Sequence, residues 1–438
     1  MTCMLACNAC GSGCQRAEPF VPEDSLQYIA PSNGNWGLVR ILCLVPESHI
    51  LFVTPEACGR HTAFGALNKG LKDRVSYYFV SKEEITAGYD HELKKAAGQL
   101  LSLLNHRPKV LIVVVACIDD LIGTDIEQVM VELNAAFPDV NFIDCHMNPI
   151  TGNTKTPPIV TSQKQMYSLL ALATDQHKDR GVNLMGLFEP TDPGSDLYRF
   201  LSDLGIGPVR HISLYQSYDD FLSMAKSSYN FLQGPTAYLA AEFLEQELGT
   251  PYLQLFPSYR HEAIHLQYQA LYQALCPDQS RPFPDLTQAQ DRAETAIQET
   301  LTSLGNREIW LCDDSVMRPF ELARMLVEKG FNLTTVIAGQ VPAYDQAAAD
   351  WLLDHAPDLT YIQAQHFRTV KFDRRNPDVL AIGFHAAYIA DSPYVVPLMN
   401  DDFNFGYDGI CRLMADMQYA ASHPEDLAAL IAEYGLVI

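Results

Sequence analysis

The feature that most limits how this chain can fold is a phrase that it repeats: a short β-branched run, a turn, then a helical pattern. Residues 109–115, Lys-Val-Leu-Ile-Val-Val-Val, are apolar at six successive positions. That is what a central parallel strand covered on both faces requires. Residues 49–53, 75–80 and 140–144 read as its neighbours. The phrase returns at 182–188 and 209–214, and again at 308–312, 333–337, 379–382 and 394–397. Strands alternating with helices in this way predict an α/β fold of doubly wound parallel sheets.

The helical punctuation agrees. Thr124 and Glu127 have the spacing of a capping box, which predicts a helix from there to about Phe137, ended by Pro138. Pro235 and Gly249 bracket a helix over 236–248, and 288–304 reads as another after a polar, proline-containing excursion at 276–285. Residues 155–163 are rich in Thr and Pro, and helix is expected from 166 to 174. At roughly 150 residues per domain, 438 residues suggest about three. The divisions expected are a cysteine-rich segment 1–24 and domains 25–180, 181–304 and 305–438.

Composition removes several classes of function. With 53 acidic against 30 basic residues, the net charge of -23 argues against nucleic acid as a partner, because phosphate binding needs a basic footprint. No stretch approaches the roughly 20 apolar residues of a membrane span. The first residues lack a basic region followed by an apolar run, so no secretory leader is expected and the chain reads as cytoplasmic. Thiols stay reduced in that compartment. Eleven cysteines therefore point to metal ligation or burial, not to a disulfide framework.

Two groups of thiols stand out. Cys3, Cys7, Cys10 and Cys14 are spaced C-x3-C-x2-C-x3-C. Their first three match the pattern of radical enzymes that use S-adenosylmethionine, but that motif follows a barrel strand, and none precedes residue 3. A loop wrapping a four-iron cluster is the chemically sensible alternative, since each iron takes one thiolate; a tail with incidental thiols is the bland one. Cys58, Cys117 and Cys145 each follow or end a predicted strand. Ligands gather beyond the carboxyl ends of such strands, and soft thiolates there suit iron–sulfur or zinc. The competing reading is a small core residue at a strand end, stronger for Cys145. His261 and His265, four apart, could share a helical face around a metal, but an ordinary polar face explains them as well. The sequence has no G-x4-G-K-[ST] loop, no G-x-G-x-x-G after a strand and no G-x-S-x-G, whereas His261-Glu-Ala-Ile-His265 does have the H-E-x-x-H spacing.

From about residue 25 onward the chain resembles component 1 of nitrogenase and its relatives. The resemblance is carried by residues 50–59 (strand, Pro and Cys-Gly turn), by 113–126 (a cysteine followed by Leu-Ile-Gly-x-Asp-Ile), by Gly-Thr-Pro-Tyr at 249–252 and by Phe-Gly-Tyr-Asp-Gly at 405–409. It implies three Rossmann-like domains around a central cavity, and a dimer with itself or a homologous subunit. It also implies a [4Fe–4S] or larger P-cluster-like cluster at the subunit boundary with Cys58 and Cys117 as ligands. A separate ATP-hydrolysing iron–sulfur protein would deliver electrons.

Departures from the family pattern narrow the function. Where nitrogenases carry a further cluster cysteine, this chain has Asn33 or Asn35, a gap that Cys14 or its neighbours could fill; equally, the four could hold an additional cluster. The positions matching the anchors of the molybdenum–iron cofactor are Gln233 and Met399 or Asn400, so that cofactor is not expected in its usual mode. The expected function is reduction of a small or tetrapyrrole-like substrate, with His385, His61 and Arg60 as candidates for the cavity wall. The alternatives are a scaffold for metallocofactor assembly without turnover, and a zinc-bound or metal-free binding protein.

Overall fold

The structure, a computed structural model, describes residues 28, 31, 37–68, 70–148, 156–366, 369, 375–434 and 436. Cys3, Cys7, Cys10 and Cys14 lie outside the described residues, as do Asn33 and Asn35. The chain divides into two compact units, one made of Trp36–Pro190 with Gly207–Gln254, the other containing Thr191–Ile206 and Leu255–Ile438. Three parallel sheets are present, two in the first unit and one in the second. The expected α/β class of parallel Rossmann-like sheets is therefore found.

The first sheet has the order β2-β1-β3-β4, with β1 at Ser48–Thr54, β2 at Val75–Phe79, β3 at Val110–Ala116 and β4 at Asn141–Met147. Every residue of β1 and β3 is buried, as the continuous apolar run requires. The helices Asp90–Leu103 and Ile126–Ala136 cover one face through Leu93, Ala97, Leu101, Val129, Met130 and Leu133, packed on Leu51, Val53, Leu111, Val113 and Val115. The second helix starts one residue later than the spacing predicts. Asp125, not Thr124, accepts the Gln128 amide at 3.0 Å, because a carboxylate one step further on meets the helix dipole directly.

The second sheet, in the same unit, has the order β6-β5-β7-β8: β5 Val182–Met185, β6 Val209–Arg210, β7 Tyr229–Leu232 and β8 Tyr252–Gln254. The strand expected to continue to residue 214 ends at Arg210 and turns into a 3-10 helix, Ile212–Leu214. His211 causes the break. It is fully buried, desolvation lowers its pKa to about 4, and its neutral Nδ1 accepts the Ser213 amide at 3.2 Å. The helix Pro158–Ser168 begins well before the expected start, with Pro158 in its first turn, where a missing N–H costs nothing. It packs on Tyr238–Leu248, and Gln163 Nε2 donates to Thr236 Oγ1 at 2.7 Å.

In the second unit the sheet order is β11-β10-β9-β12-β13: β9 Ile309–Cys312, β10 Leu333–Ile337, β11 Thr360–Ile362, β12 Leu380–Ile382 and β13 Val395–Val396. The helices Thr287–Leu304 and Gly406–Ser422 pack together, with Gln418 Nε2 donating to Thr300 Oγ1 at 2.7 Å. The Phe-Gly-Tyr-Asp-Gly stretch owes its form to Asp196. That buried carboxylate accepts from the Tyr407 amide at 3.0 Å, the Asp408 amide at 3.1 Å and the Tyr268 hydroxyl at 2.7 Å. Gly406 has φ +63, and a Cβ there would lie 2.5 Å from Asp196 Oδ2, so only glycine lets the helix start reach its cap.

All three sheets share one topology. The chain runs outward from a first strand on one side, then crosses to that strand's other side, so strand order reverses between β1 and β3, between β5 and β7, and between β9 and β12. Loops leaving the carboxyl ends of such a strand pair diverge to opposite faces and leave a crevice between them.

Candidate functional site

The switch point of the first sheet carries the thiols. Strands β1 and β3 pair in parallel with Val53 opposite Val115, so Cys58 and Cys117 follow adjacent strand ends. Cys58 sits in the first turn of the helix Glu56–Asn68 and its N–H donates to Pro55 O at 3.0 Å. Gly59 is needed beside it: a Cβ there would stand 2.9 Å from Phe79 Cε1 and 3.3 Å from Thr54 Cγ2. Without a side chain the turn lies directly on β2, which is the physical content of the Cys-Gly pair.

Cys117 opens the short helix Cys117–Ile122. Gly123 ends that helix in the left-handed conformation, φ 72, with its N–H on Asp119 O at 2.8 Å, and Asp125 caps the next helix. The Leu-Ile-Gly-x-Asp-Ile pattern is therefore a helix stop followed by a helix start, which fixes the Cys117 turn in place. Both thiols are half-buried, and neither is in a disulfide. Cys145, on β4, differs: it is buried and its pKa is pushed up to about 12 by desolvation, so it remains a protonated thiol in the core.

A polar network that sequence reasoning passed over adjoins Cys117. Asp119 is buried, accepts the Tyr89 hydroxyl, and has its pKa raised to about 6 by burial. His146 lies between Asp120 Oδ1, 3.2 Å from Nδ1, and Asp144 Oδ2, 3.5 Å from Nε2. Hydrogen bonding to Asp144 holds that imidazole above its usual pKa against the opposing effect of burial. The only advance signal was an Asp-Asp pair directly after a strand-end cysteine.

The other two switch points are closed to comparable ligands. In the second sheet Gly186 and Gly234 follow β5 and β7, and their backbones touch. Gln233, the position matching the cofactor cysteine, is fully buried with its N–H on Met185 O at 2.8 Å. In the third sheet Met399 packs with Phe384, Ile431 and Leu436 in an apolar cluster, and the Asn400 N–H donates to Asp314 O at 3.1 Å. A buried amide and a core thioether do not fit the cysteine and histidine anchors of a molybdenum–iron cofactor.

His385 follows β12 and is 5% exposed. Its N–H donates to Asp314 Oδ2 at 3.3 Å, and its ring nitrogens stand 3.8 Å from Asp313 Oδ1 and 3.9 Å from Asp314 Oδ2. Burial opposes its charge, but these two carboxylates outweigh it and raise its pKa. Asp314 also accepts from the Cys312 thiol at 2.5 Å, so the switch point of this sheet is filled by its own side chains. Arg60 is exposed on the helix that carries Cys58, and the His61 side chain lies outside the described residues. His261, 3.9 Å from Glu294, and His265, hydrogen-bonded to Gln269, share a helix. Among the described residues no three His, Cys, Asp or Glu side chains are grouped so as to hold a metal ion.

One buried acid of this sheet gives a pH test. Asp401 is fully buried, accepts the Met317 amide at 2.7 Å through Oδ2, and has its pKa raised to about 8 by desolvation. An ordinary Asp titrates near 3.9 when the chain unfolds. Between about pH 4 and 8 the folded state thus binds the extra proton, and stability falls as pH rises through that window. Asp401→Asn, which mimics the protonated acid, should be near wild type at pH 4 and more stable at pH 8. Urea unfolding at the two pH values measures this, and a constant difference between the proteins would refute it.

Parallel sheets with two half-buried thiols beside one switch point make this an α/β protein whose first strand-end crevice is its candidate site. Residues 36–421 match the family model of the nitrogenase component 1 type oxidoreductases, and the chain belongs to that family. It is 23% identical over 221 residues to the nitrogenase iron-molybdenum cofactor biosynthesis protein NifE of Clostridium pasteurianum; the match spans 49% of this chain and about half, 47%, of that protein. Among solved structures, nitrogenase Cp1 at pH 6.5 superposes with a TM-score of 0.65 at 17% identity, covering 92% of this chain and 94% of that one. Nitrogenase Cp1 at pH 5 gives 0.61 at 13% identity, covering 92% and 90%. At those identities the likeness is one of fold. No helix of the described residues is long and apolar enough to cross a membrane.

Proposed function

We propose that this chain is the cluster-bearing component of a nitrogenase-like reductase. Cys58 and Cys117 are half of the ligand set of an iron–sulfur cluster, and a second copy or a homologous subunit supplies the other half. The observation that carries this reading is the placement of two half-buried thiols just past adjacent strand ends, beside the first sheet's switch point. A four-iron cluster takes four thiolates, so two identical pairs complete it. When bound, such a cluster supplies one-electron transfer at low potential. The chain's own part is to fix the two thiols in the helix starts that follow paired strands, with Gly59 and Gly123 setting their turns, and to shield them. The Tyr89–Asp119 and Asp120–His146–Asp144 hydrogen bonds brace the Cys117 turn. The amino-terminal thiols Cys3, Cys7, Cys10 and Cys14 serve as additional ligands or hold a second cluster on the electron path. His385, His61 and Arg60 remain candidates for contact with substrate, and an ATP-hydrolysing iron–sulfur protein is the proposed electron donor.

A scaffold role in cofactor assembly is the second reading. It is favoured by the relative that is itself a cofactor biosynthesis protein and by the absence of anchoring residue types at Gln233 and Met399. Incubating anaerobically purified protein with an ATP-dependent iron–sulfur reductase and candidate tetrapyrroles separates the two. Substrate reduction that needs ATP supports the reductase. Iron-loaded protein that turns nothing over but passes its metal to an acceptor protein supports the scaffold.

A further inference from the structure

The helix that Cys117 opens carries a carboxylate on the same face as the thiol. Residues three apart on a helix are neighbours, with Cβ atoms about 5–6 Å apart, so Asp120 stands beside Cys117 on Cys117–Ile122. A cluster held by thiolates is anionic and gains a further negative charge on reduction, so an uncompensated carboxylate there opposes the incoming electron. Asp120 is compensated from β4. That strand runs parallel to β3 with His146 opposite Val115, which brings His146 level with the point where β3 gives way to Cys117. His146 Nδ1 lies 3.2 Å from Asp120 Oδ1, and Asn148, just past the strand, donates to Asp120 Oδ2. On the far side of the ring, Nε2 lies 3.5 Å from Asp144 Oδ2, and Gln165 Nε2 donates to Asp144 Oδ1 at 2.9 Å. Strand alternation allows this, because Asp144 and His146 share one face of β4 while Cys145 between them turns into the core. Asp119 is the remaining acid close enough to interact with the ring, and its buried carboxylate accepts from the Tyr89 hydroxyl. With a carboxylate at each ring nitrogen, the charged imidazolium is favoured.

We propose that His146 is a positioning residue for electron uptake at the first-sheet thiols: its imidazolium cancels the Asp120 charge beside Cys117 and, with Asn148, ties that carboxylate to β4. The proposal rests on the reading of Cys58 and Cys117 as cluster ligands, and it adds which residue sets how readily the cluster is reduced. Asp144 acts at one remove, keeping the ring charged and oriented. The three groups together present one negative charge to the cluster, where two unopposed acids would present two.

The test is a redox titration of the anaerobically purified full chain at about pH 6, below the ordinary imidazole pKa of about 6.5. Low-temperature electron paramagnetic resonance follows the signal that Cys58→Ala/Cys117→Ala abolishes, and iron per chain is measured on each protein. His146→Gln keeps a hydrogen-bonding side chain without the charge, and should make electron uptake about three- to tenfold less favourable, tenfold being about 59 mV for a one-electron couple. One charge on the order of 10 Å away has that effect when solvent screens part of it, and both His146 and Asp120 are 38% exposed. Asp120→Asn should move the potential by a similar amount in the opposite direction, and His146→Lys, which restores the cation, should return it to near wild type. Loosened packing cannot mimic this pattern, since it gives the two neutral variants shifts of the same sign. With iron at the wild-type level, an unmoved potential in His146→Gln, shifts of one sign in both neutral variants, or no recovery with lysine would each overturn the proposal and leave the cluster reading standing. Loss of iron from the His146 or Asp120 variants overturns it too, because the contact is then a structural one. A wild type without iron, or a signal that survives Cys58→Ala/Cys117→Ala, removes the cluster reading and this proposal with it.

Discussion

Joint replacement of Cys58 and Cys117 by alanine should remove the iron bound at the first sheet's switch point. On the proposed reading each copy contributes these two thiols to a shared cluster, so a dimer of the double variant would keep neither pair, while a single variant would keep one thiol from each copy. Partial loss is therefore expected in the singles and near-complete loss of that cluster's signal in the double. Iron and sulfide content with low-temperature electron paramagnetic resonance reads the outcome. The companion variant Cys7→Ala/Cys10→Ala gives the contrast. Independent signal losses in the two variants mean two cluster sites, and loss of the same signal means that the amino-terminal thiols complete one. A wild type without iron would sink the reductase and scaffold readings together and leave only the family fold.

The largest stability effect should come from a residue with no side chain. Gly186 sits at φ +101, and a Cβ there would lie 2.5 Å from Gly234 O and 2.7 Å from Gly234 N. Those are backbone atoms at the end of β7, anchored by parallel pairing to β5 and β8, so they cannot retreat as a flexible side chain would. Gly186→Ala should cost about 3–5 kcal/mol, adding overpacking to left-handed strain. Gly249→Ala supplies the control. It also has positive φ, +62, but nothing lies within 4 Å of its would-be Cβ, so about 1 kcal/mol of strain is expected. Urea unfolding midpoints compare them, and equal losses would show that the close backbone approach carries no energy.

Particular elements show how far the chain could be read in advance. β3 was plain because burial on both faces demands an unbroken apolar run, and Leu333–Ile337 was read to the residue. The first-sheet cysteines were visible as thiols after strands, and the glycine and aspartate beside them had recognisable roles. β6 was read too long because the sequence does not reveal that burial would make His211 a neutral acceptor and turn the chain. The helix at Pro158 was hidden by a composition that reads as loop, although proline in a first turn is favourable. The His146 network gave no more than the Asp-Asp pair after Cys117 as a signal, since it joins groups whose meaning depends on neighbours elsewhere in the sheet.

Local order, then, was written in the sequence by itself: the alternation of strand and helix, the parallel class, the strand-end positions of Cys58 and Cys117, and the missing residue types at Gln233 and Met399. These follow from side-chain periodicity and backbone preference, which act over a few residues. The tertiary structure alone decided strand order, and with it that Cys58 and Cys117 border one crevice while the second sheet closes on Gly186 and Gly234 and the third on Cys312, Asp314 and His385. Strand order is set by which buried faces can be covered at once, a condition on the whole chain that no local stretch contains.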